Sequence, residues 1–130
     1  MEFSVRSSKQ KDLIDITDQV AASVAKGKTQ DGICLVFVPH ATAGILVNEF
    51  EPNIKQDFLS LLERLFPSGG WRHNAIDDNA EAHLKSGIIG AQACLPVDSG
   101  SLLLSTWQRI MLCEFDGPRE RRVIVKVVGK

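Results

Sequence analysis

The stretch GICLVFVPHATAGILVNE, residues 32–49, decides the fold of this chain. Residues 32–39 form a continuous apolar run rich in branched and aromatic side chains, which is typical of a strand buried on both faces. A second apolar run begins at Ala43, after the short segment HAT. We therefore expect two central strands, with His40 projecting from the end of the first into a cleft.

The sequence on either side predicts further strands and three helices. The runs EFSVRS and KDLIDIT alternate polar and apolar residues and are expected to pair as a hairpin. A short helix is expected from its N-cap Thr17 to Gly27, a longer one from Pro52 to a stop before Pro67, and a third after the N-cap Asn79. The runs GAQACLPV, SLLLSTWQRIMLCEF and RRVIVKVV predict the remaining strands, with turns at residues 96–100 and at DGPRE.

Strands and helices do not alternate regularly along the chain, which argues against a doubly wound sheet. The pattern predicts an α+β fold in which a mainly antiparallel sheet curls into a sandwich or barrel-like single domain, with one long helix and two shorter helices. A chain of 130 residues is expected to be one domain, residues 1–130.

The composition narrows the class of protein. Fifteen Lys and Arg stand against sixteen Asp and Glu, so no basic field favours nucleic acid or a membrane surface, and a small ligand fits better. The N-terminus has no signal-peptide core, and we expect a cytoplasmic protein. The three cysteines, Cys34, Cys94 and Cys113, lie in apolar runs and are expected to be buried free thiols.

The three histidines, His40, His73 and His83, are the first candidates for chemistry. Imidazole is the commonest metal ligand, and three imidazoles can make an open catalytic site. His83 lies one helical turn after Asn79, and His73 lies in the loop before that helix. No HExxH or CxxC motif is present, so three separate surface or hydrogen-bonded histidines remain the alternative.

Carboxylates, amides and arginines supply the other candidates. Neighbouring acids such as Glu49 and Asp57 could orient ligands or act as a general base, or could simply be solvated. Trp107 with Gln108 could stack on a planar ring and hydrogen-bond to it, or the indole could belong to the core. Guanidinium groups after the DGP turn suit an anion, and Arg121 and Arg122 should point to opposite faces of a strand. Asp77 and Asp78 could equally form a turn.

Taken in order, the motifs PHATAGILVNE, the histidine before DDNAEAH, STWQ and DGPRERR resemble the YjbQ family, also called secondary thiamine-phosphate synthase enzymes. The resemblance covers nearly the whole chain. It implies a sandwich-like or barrel-like α+β fold, a homotrimer, and a cleft where the three histidines meet and hold a divalent metal ion. One position departs from the family pattern: Ser105 stands where the family usually has Gly.

The family name implies that aminopyrimidine diphosphate and thiazole phosphate are joined with loss of pyrophosphate. A metal-dependent hydrolase of a small anionic substrate and a non-catalytic binder of a phosphorylated heterocycle are the alternatives, and a third has the polar motifs forming contacts between subunits. Three imidazoles favour a zinc-like ion, with magnesium possible in principle. The expected catalytic residues are Asn48, Glu49, Asp57 and Asn79; the expected substrate-binding residues are Thr42, Trp107, Gln108, Arg119 and Arg121; the expected metal ligands are His40, His73 and His83.

Overall fold

Eight strands form two antiparallel sheets. The structure, a computed structural model, describes all residues from 1 to 130. The strands are β1 (Glu2–Arg6), β2 (Asp12–Asp15), β3 (Asp31–Phe37), β4 (Ala43–Asn48), β5 (Gln92–Asp98), β6 (Ser101–Leu102), β7 (Arg109–Glu114) and β8 (Glu120–Gly129). The larger sheet has the order β1-β8-β3-β5-β6, and the smaller one has the order β2-β7-β4.

Three helices complete the fold: α1 (Thr17–Gly27), α2 (Pro52–Leu65) and α3 (Ala80–Ile89). A single 3₁₀ turn, Arg72–Ala75, lies in the loop between α2 and α3. The α+β class, with its antiparallel sheet curled into a half-barrel and three helices, is confirmed. None of the helices is both long and apolar enough to cross a bilayer.

The core has two parts, one on each face of the smaller sheet. Val36 and Val125 of the larger sheet, Ile110 and Ile45 of the smaller one, and Val20 of α1 belong to the first part. On the other face, Met111 and Cys113 of β7 pack with Leu62 of α2 and Ala82 of α3. The helices α2 and α3 therefore cover one face of the small sheet, and α3 is held directly against β4.

The prediction that the first two strands pair as a hairpin is wrong. β1 pairs with β8, whereas β2 pairs with β7 in the other sheet. The connection between them bends at residues 9–11, and just before the bend the buried Ser7 hydroxyl donates to Glu114 at the end of β7. β4, expected to be central, is an edge strand, and α3 covers it. β3 is central as expected, between β8 and β5.

Several element boundaries also differ from the prediction. The long run from residue 101 to 115 is two strands, because residues 103–108 leave the sheet in a turn. Pro96 lies inside β5 rather than in the turn after it. Thr17 is the first residue of α1 rather than its cap, and Lys28, not Gly27, takes the left-handed conformation at its end. Cys94 is exposed, because it alternates with buried Leu95 along a strand with one open face.

Both sheets share the same two ends. In the small sheet Ala43 pairs with Glu114 at one end, and Asn48 pairs with Arg109 at the other. We call the first the histidine end, because His40 leads into it, and the second the tryptophan end, because Trp107 leads into it. Five residue steps along β4 separate them by about 17 Å.

Candidate functional site

A buried ion pair anchors the histidine end. Arg121 is 3% exposed and Glu114 is fully buried, and the guanidinium Nε lies 3.0 Å from Glu114 Oε1. Arg121 Nη2 also donates to Thr42 Oγ1 at 2.9 Å, and the Ser7 hydroxyl donates to Glu114 at 2.6 Å. Burial by itself raises the pKa of Glu114, but the hydrogen bonds from Arg121, Ser7 and the Asp116 backbone outweigh burial and lower it. The pair therefore stays charged and fixes the loop that follows β7.

His40 is tied to this end through the backbone. Its Nε2 accepts a hydrogen bond from the N–H of Arg122 at 2.9 Å, so this nitrogen carries the lone pair and the imidazole is neutral. Partial burial lowers the pKa of His40, and the nearby Arg121 guanidinium lowers it further. His40 is thus held as a neutral ring.

A chain of three polar side chains leads from the loop after β7 to His73. Asn79 Nδ2 donates to Asp116 Oδ2 at 3.0 Å, and Asn79 Oδ1 lies 2.9 Å from His73 Nε2. Arg119 Nη2 donates to the same carboxylate oxygen of Asp116 at 3.2 Å. We call Asp116, Asn79 and His73 the polar chain. Asn79 is the N-cap residue of α3 as expected, but its side chain serves the polar chain and not the helix.

The polar chain assigns the tautomer of His73. A carboxylate only accepts hydrogen bonds, so the Asn79 amide must present its NH₂ to Asp116 and its carbonyl oxygen to His73. His73 Nε2 must then donate, so in the neutral ring the lone pair is on Nδ1. The ring of His83 packs edge-on against His73, with 4.7 Å between the ring centroids. Two imidazoles are therefore side by side, and one of them has a fixed tautomer.

These two histidines line an open cleft of about 590 Å³. Its lining residues are Gly70, Trp71, Arg72, His73, Ala80, His83 and Leu84. The loop before the 3₁₀ turn supplies one wall, and the first turn of α3 supplies the other. We call this space the histidine cleft. An indole, a guanidinium and two imidazoles on an otherwise apolar wall suit a small ligand that is planar and negatively charged.

The expected meeting of all three histidines is not found within one chain. No group of three or more His, Cys, Asp or Glu side chains lies close enough together to hold a metal ion. His40 is bonded to Arg122, on the strand after the DGP turn, whereas His73 and His83 are neighbours at the start of α3. The adjacent pair still fits a metal in the chemistry of its donors, because a ligating histidine usually donates its other N–H to an oxygen, as His73 does to Asn79.

The other predicted site residues lie elsewhere. Trp107 is 70% exposed, and Asn48, Glu49 and Gln108 accompany it at the tryptophan end. Asp57 is exposed on α2 and does not line the histidine cleft. Thr42 and Arg121 are buried partners of each other rather than open binding groups, and Arg119 is exposed beside Asp116.

The sequence analysis did not identify the buried carboxylate at the histidine end or two of the residues that line the histidine cleft. Glu114 gave a signal, since a carboxylate inside the apolar run IMLCEF needs a buried partner. Trp71 and Arg72 gave only a weak signal, as loop residues next to His73. Ser105 causes no strain where it replaces the usual Gly, because its φ is not positive and its side chain is exposed.

Comparison with known proteins gives a consistent result. The family model described as UPF0047 protein YjbQ-like matches residues 1–130. A UPF0047 protein of Archaeoglobus fulgidus is 46% identical over 129 residues, which is 98% of this chain and 100% of that one. The crystal structure of a YbjQ-like protein of unknown function from Sulfolobus solfataricus P2 superimposes with a TM-score of 0.98 at 45% identity, covering 100% of this chain and 96% of that one. A hypothetical protein of Aeropyrum pernix K1 gives a TM-score of 0.97 at 40% identity, covering 100% and 98%.

Proposed function

Because the chain belongs to the UPF0047 family of YjbQ-like proteins, we propose that it is a metal-dependent enzyme that acts on a small anionic substrate in the histidine cleft. One observation carries the proposal. The polar chain leaves the lone pair of the neutral His73 ring on Nδ1, and the imidazole of His83 packs edge-on against the same ring. Such preorganisation is unusual for surface histidines and typical of a functional site.

His73 and His83 would hold the metal ion. A divalent ion there supplies Lewis-acid polarisation of a phosphoryl or carbonyl oxygen. Imidazole donors favour a zinc-like ion over magnesium, which prefers oxygen ligands. An open catalytic zinc site usually has three protein ligands, so one ligand is missing from the single chain.

The chain's own residues would bind and orient the substrate. Trp71 offers an aromatic face, and Arg72 offers a guanidinium fork for a phosphate or carboxylate. Arg119 carries a second exposed guanidinium and is joined to the polar chain through Asp116. These groups favour a phosphorylated heterocycle as the class of substrate.

Transfer of the aminopyrimidine group from its diphosphate to thiazole phosphate, with release of pyrophosphate, is the first reaction to test. Arg72 and Arg119 would neutralise the leaving pyrophosphate, and Trp71 would stack on a heterocycle. Hydrolysis of a small phosphate ester in the same cleft is the second. We also propose that the chain assembles as a homotrimer.

Elemental analysis of protein purified without an affinity tag tests the metal. We expect about one zinc-like ion per chain in the natural protein, and a loss of most of it in His83→Ala. Asp57→Ala is the matched control, because Asp57 is exposed and does not line the cleft, and it should retain the ion. Equal and negligible metal in all three proteins would refute a metal-dependent enzyme.

A non-catalytic binding protein is the second candidate, since the cleft wall suits a planar anion even without a complete ligand set. Removal of divalent ions with a chelator separates the two functions. A binder should keep its affinity for thiazole phosphate, whereas a metal-dependent catalyst should lose turnover with little change in binding.

A further inference from the structure

The residues expected to build one site are divided between opposite ends of the molecule. His40, His73 and His83 belong to the histidine end, while Glu49 and Trp107 belong to the tryptophan end. The length of β4 alone separates these ends by about 17 Å, and the sheet between them is packed on both faces. Within one chain the two groups cannot share a ligand.

At the tryptophan end, a hydrogen-bonded turn presents the indole to solvent. Residues 105–108 form a tight turn in which the Gln108 side chain accepts from the Ser105 N–H at 2.9 Å and the Gln108 N–H donates back to the Ser105 carbonyl at 3.1 Å. The indole of Trp107 at the top of this turn is 70% exposed. A large aromatic side chain that a hydrogen-bonded turn presents to solvent is typical of an anchor that fills a pocket on a partner.

More exposed apolar surface lies at the same end. The Leu103 N–H donates a hydrogen bond to the Pro96 carbonyl. Pro96 is the strand partner of Ile33, and Ile33 is the strand partner of Val128 on its other side. These four residues form a row across the outer face of the large sheet, and Leu103, Ile33 and Val128 are each at least 50% exposed. A contiguous exposed apolar row is typical of an interaction surface.

Unpaired charges at the two ends are complementary. Arg72 on the wall of the histidine cleft forms no ion pair, and neither does Glu49 at the tryptophan end. Asp77 and Asp78 follow the 3₁₀ turn but do not line the cleft. The cleft itself also has ample volume for an indole.

We propose that the tryptophan end of one copy of this chain docks on the histidine cleft of the next copy, so that each complete site contains histidines from one subunit and Trp107 and Glu49 from its neighbour. Contacts of this head-to-tail kind close into a ring when the rotation between copies allows it. The proposal rests on the proposed function only for the role of the cleft. It explains why the ligand set is incomplete in one chain and why an indole stands in solvent.

Cross-linking tests the docking without needing metal or substrate. In a Cys94→Ser background, which leaves only buried Cys34 and Cys113, the pair Thr106→Cys with Leu84→Cys places one thiol beside Trp107 and one on the cleft wall. A short bismaleimide should convert this variant into covalent dimers and larger species on a denaturing gel, at several-fold the yield of either single cysteine. Thr106→Cys with Ser60→Cys, exposed on α2, is the matched control and should remain uncross-linked.

Absence of covalent oligomers from the double variant, or an equal yield from the Ser60 control, would overturn the proposal. A native mass of one chain for the natural protein at micromolar concentration would do the same. Circular dichroism checks that the variants fold. If they do not, Trp107→Lys in the natural chain gives the second reading: we expect a fall in native mass, and an unchanged mass refutes the docking. If the docking is refuted but the natural protein retains metal and His83→Ala loses it, the proposal of a metal-dependent enzyme is unaffected.

Discussion

Arg121 and Arg122 are neighbours in the chain with opposite environments. Arg121 is buried against Glu114 and Thr42, whereas Arg122 is 56% exposed and pairs with an equally exposed Glu2. Their alternation was predictable, because successive residues of a strand face opposite sides. That the inward-facing arginine has a structural rather than a substrate-binding contact was not predictable, since its partner Thr42 is 79 residues away.

Removing one half of the buried pair should be costly. Arg121→Met leaves the Glu114 carboxylate buried without its cation, and we expect the free energy of unfolding to fall by about 3–5 kcal/mol in urea titrations. Arg122→Met is the control, and its exposed pair should contribute at most about 1 kcal/mol. Equal losses in the two variants would show that the Glu114 pair does not anchor this end.

Asn79 is expected to fix the tautomer of His73. In the natural protein, long-range proton–nitrogen NMR should find the ring hydrogen of neutral His73 on Nε2. Asn79→Ala removes the acceptor, so the two tautomers should become mixed, and the loss of a buried hydrogen-bonded group should lower the free energy of unfolding by about 1–3 kcal/mol. Asn53→Ala, exposed on α2, should change neither quantity. An Nδ1–H tautomer in the natural protein would contradict the orientation of the polar chain.

At the scale of elements, the helix α3 is positioned by a close approach to β4. A Cβ on Gly44 would lie 2.9 Å from the Gly90 carbonyl oxygen and 3.1 Å from the Ile89 side chain, and the Ser86 hydroxyl bonds the Ala43 carbonyl at 2.5 Å. Because His83 and the N-cap Asn79 belong to this helix, the packing of α3 against β4 sets the geometry of the histidine cleft.

Gly44→Ala should therefore push α3 outward. We expect a loss of about 1–3 kcal/mol in the free energy of unfolding from overpacking, together with shifted NMR signals of His73 and His83. Gly87 provides the control: a Cβ there meets nothing within 4 Å, and Gly87→Ala should raise stability by up to about 1 kcal/mol through helix propensity. If Gly44→Ala is as stable as the natural protein, β4 does not hold the helix in the way described.

The sequence predicts where the helices lie, but it does not predict which strands pair with each other. Local signals such as Pro52 at the start of α2 act within one turn and can be read directly. The partner of β1 depends on β8, more than a hundred residues away, and no local pattern encodes that choice. For the same reason the sequence could predict that His73 and His83, ten residues apart, lie close together. It could not predict that Trp107 lies far from these histidines, because that separation depends on the order of the strands.

At the scale of the whole molecule, the lowered pKa of Glu114 links stability to pH. A carboxylate with a folded-state pKa below its ordinary value of 4.5 stabilises the fold fully above that value, and the contribution is lost as pH falls through the folded-state pKa. We expect the free energy of unfolding to fall steeply below about pH 4.5, and less steeply in Glu114→Gln. Glu120→Gln, at an exposed position, should follow the natural protein. The same slope in all three would assign the acid sensitivity to other groups.

The candidate site residues lie at two opposite ends of the small sheet. One end carries a buried ion pair, a neutral His40 and the polar chain, while the other carries an exposed indole and an unpaired carboxylate. A ring of copies would bring these ends together and bury the exposed apolar row. The histidine cleft is the part of this arrangement on which the proposed chemistry depends.

Anomalous X-ray scattering at the zinc edge, from crystals grown with zinc, tests the histidine cleft most directly. We predict a peak at about 2.1 Å from Nδ1 of His73 and at a similar distance from an imidazole nitrogen of His83. A map with no peak in the cleft, or with zinc only at His40 or the cysteines, would contradict the assignment of this cleft as the metal-dependent site.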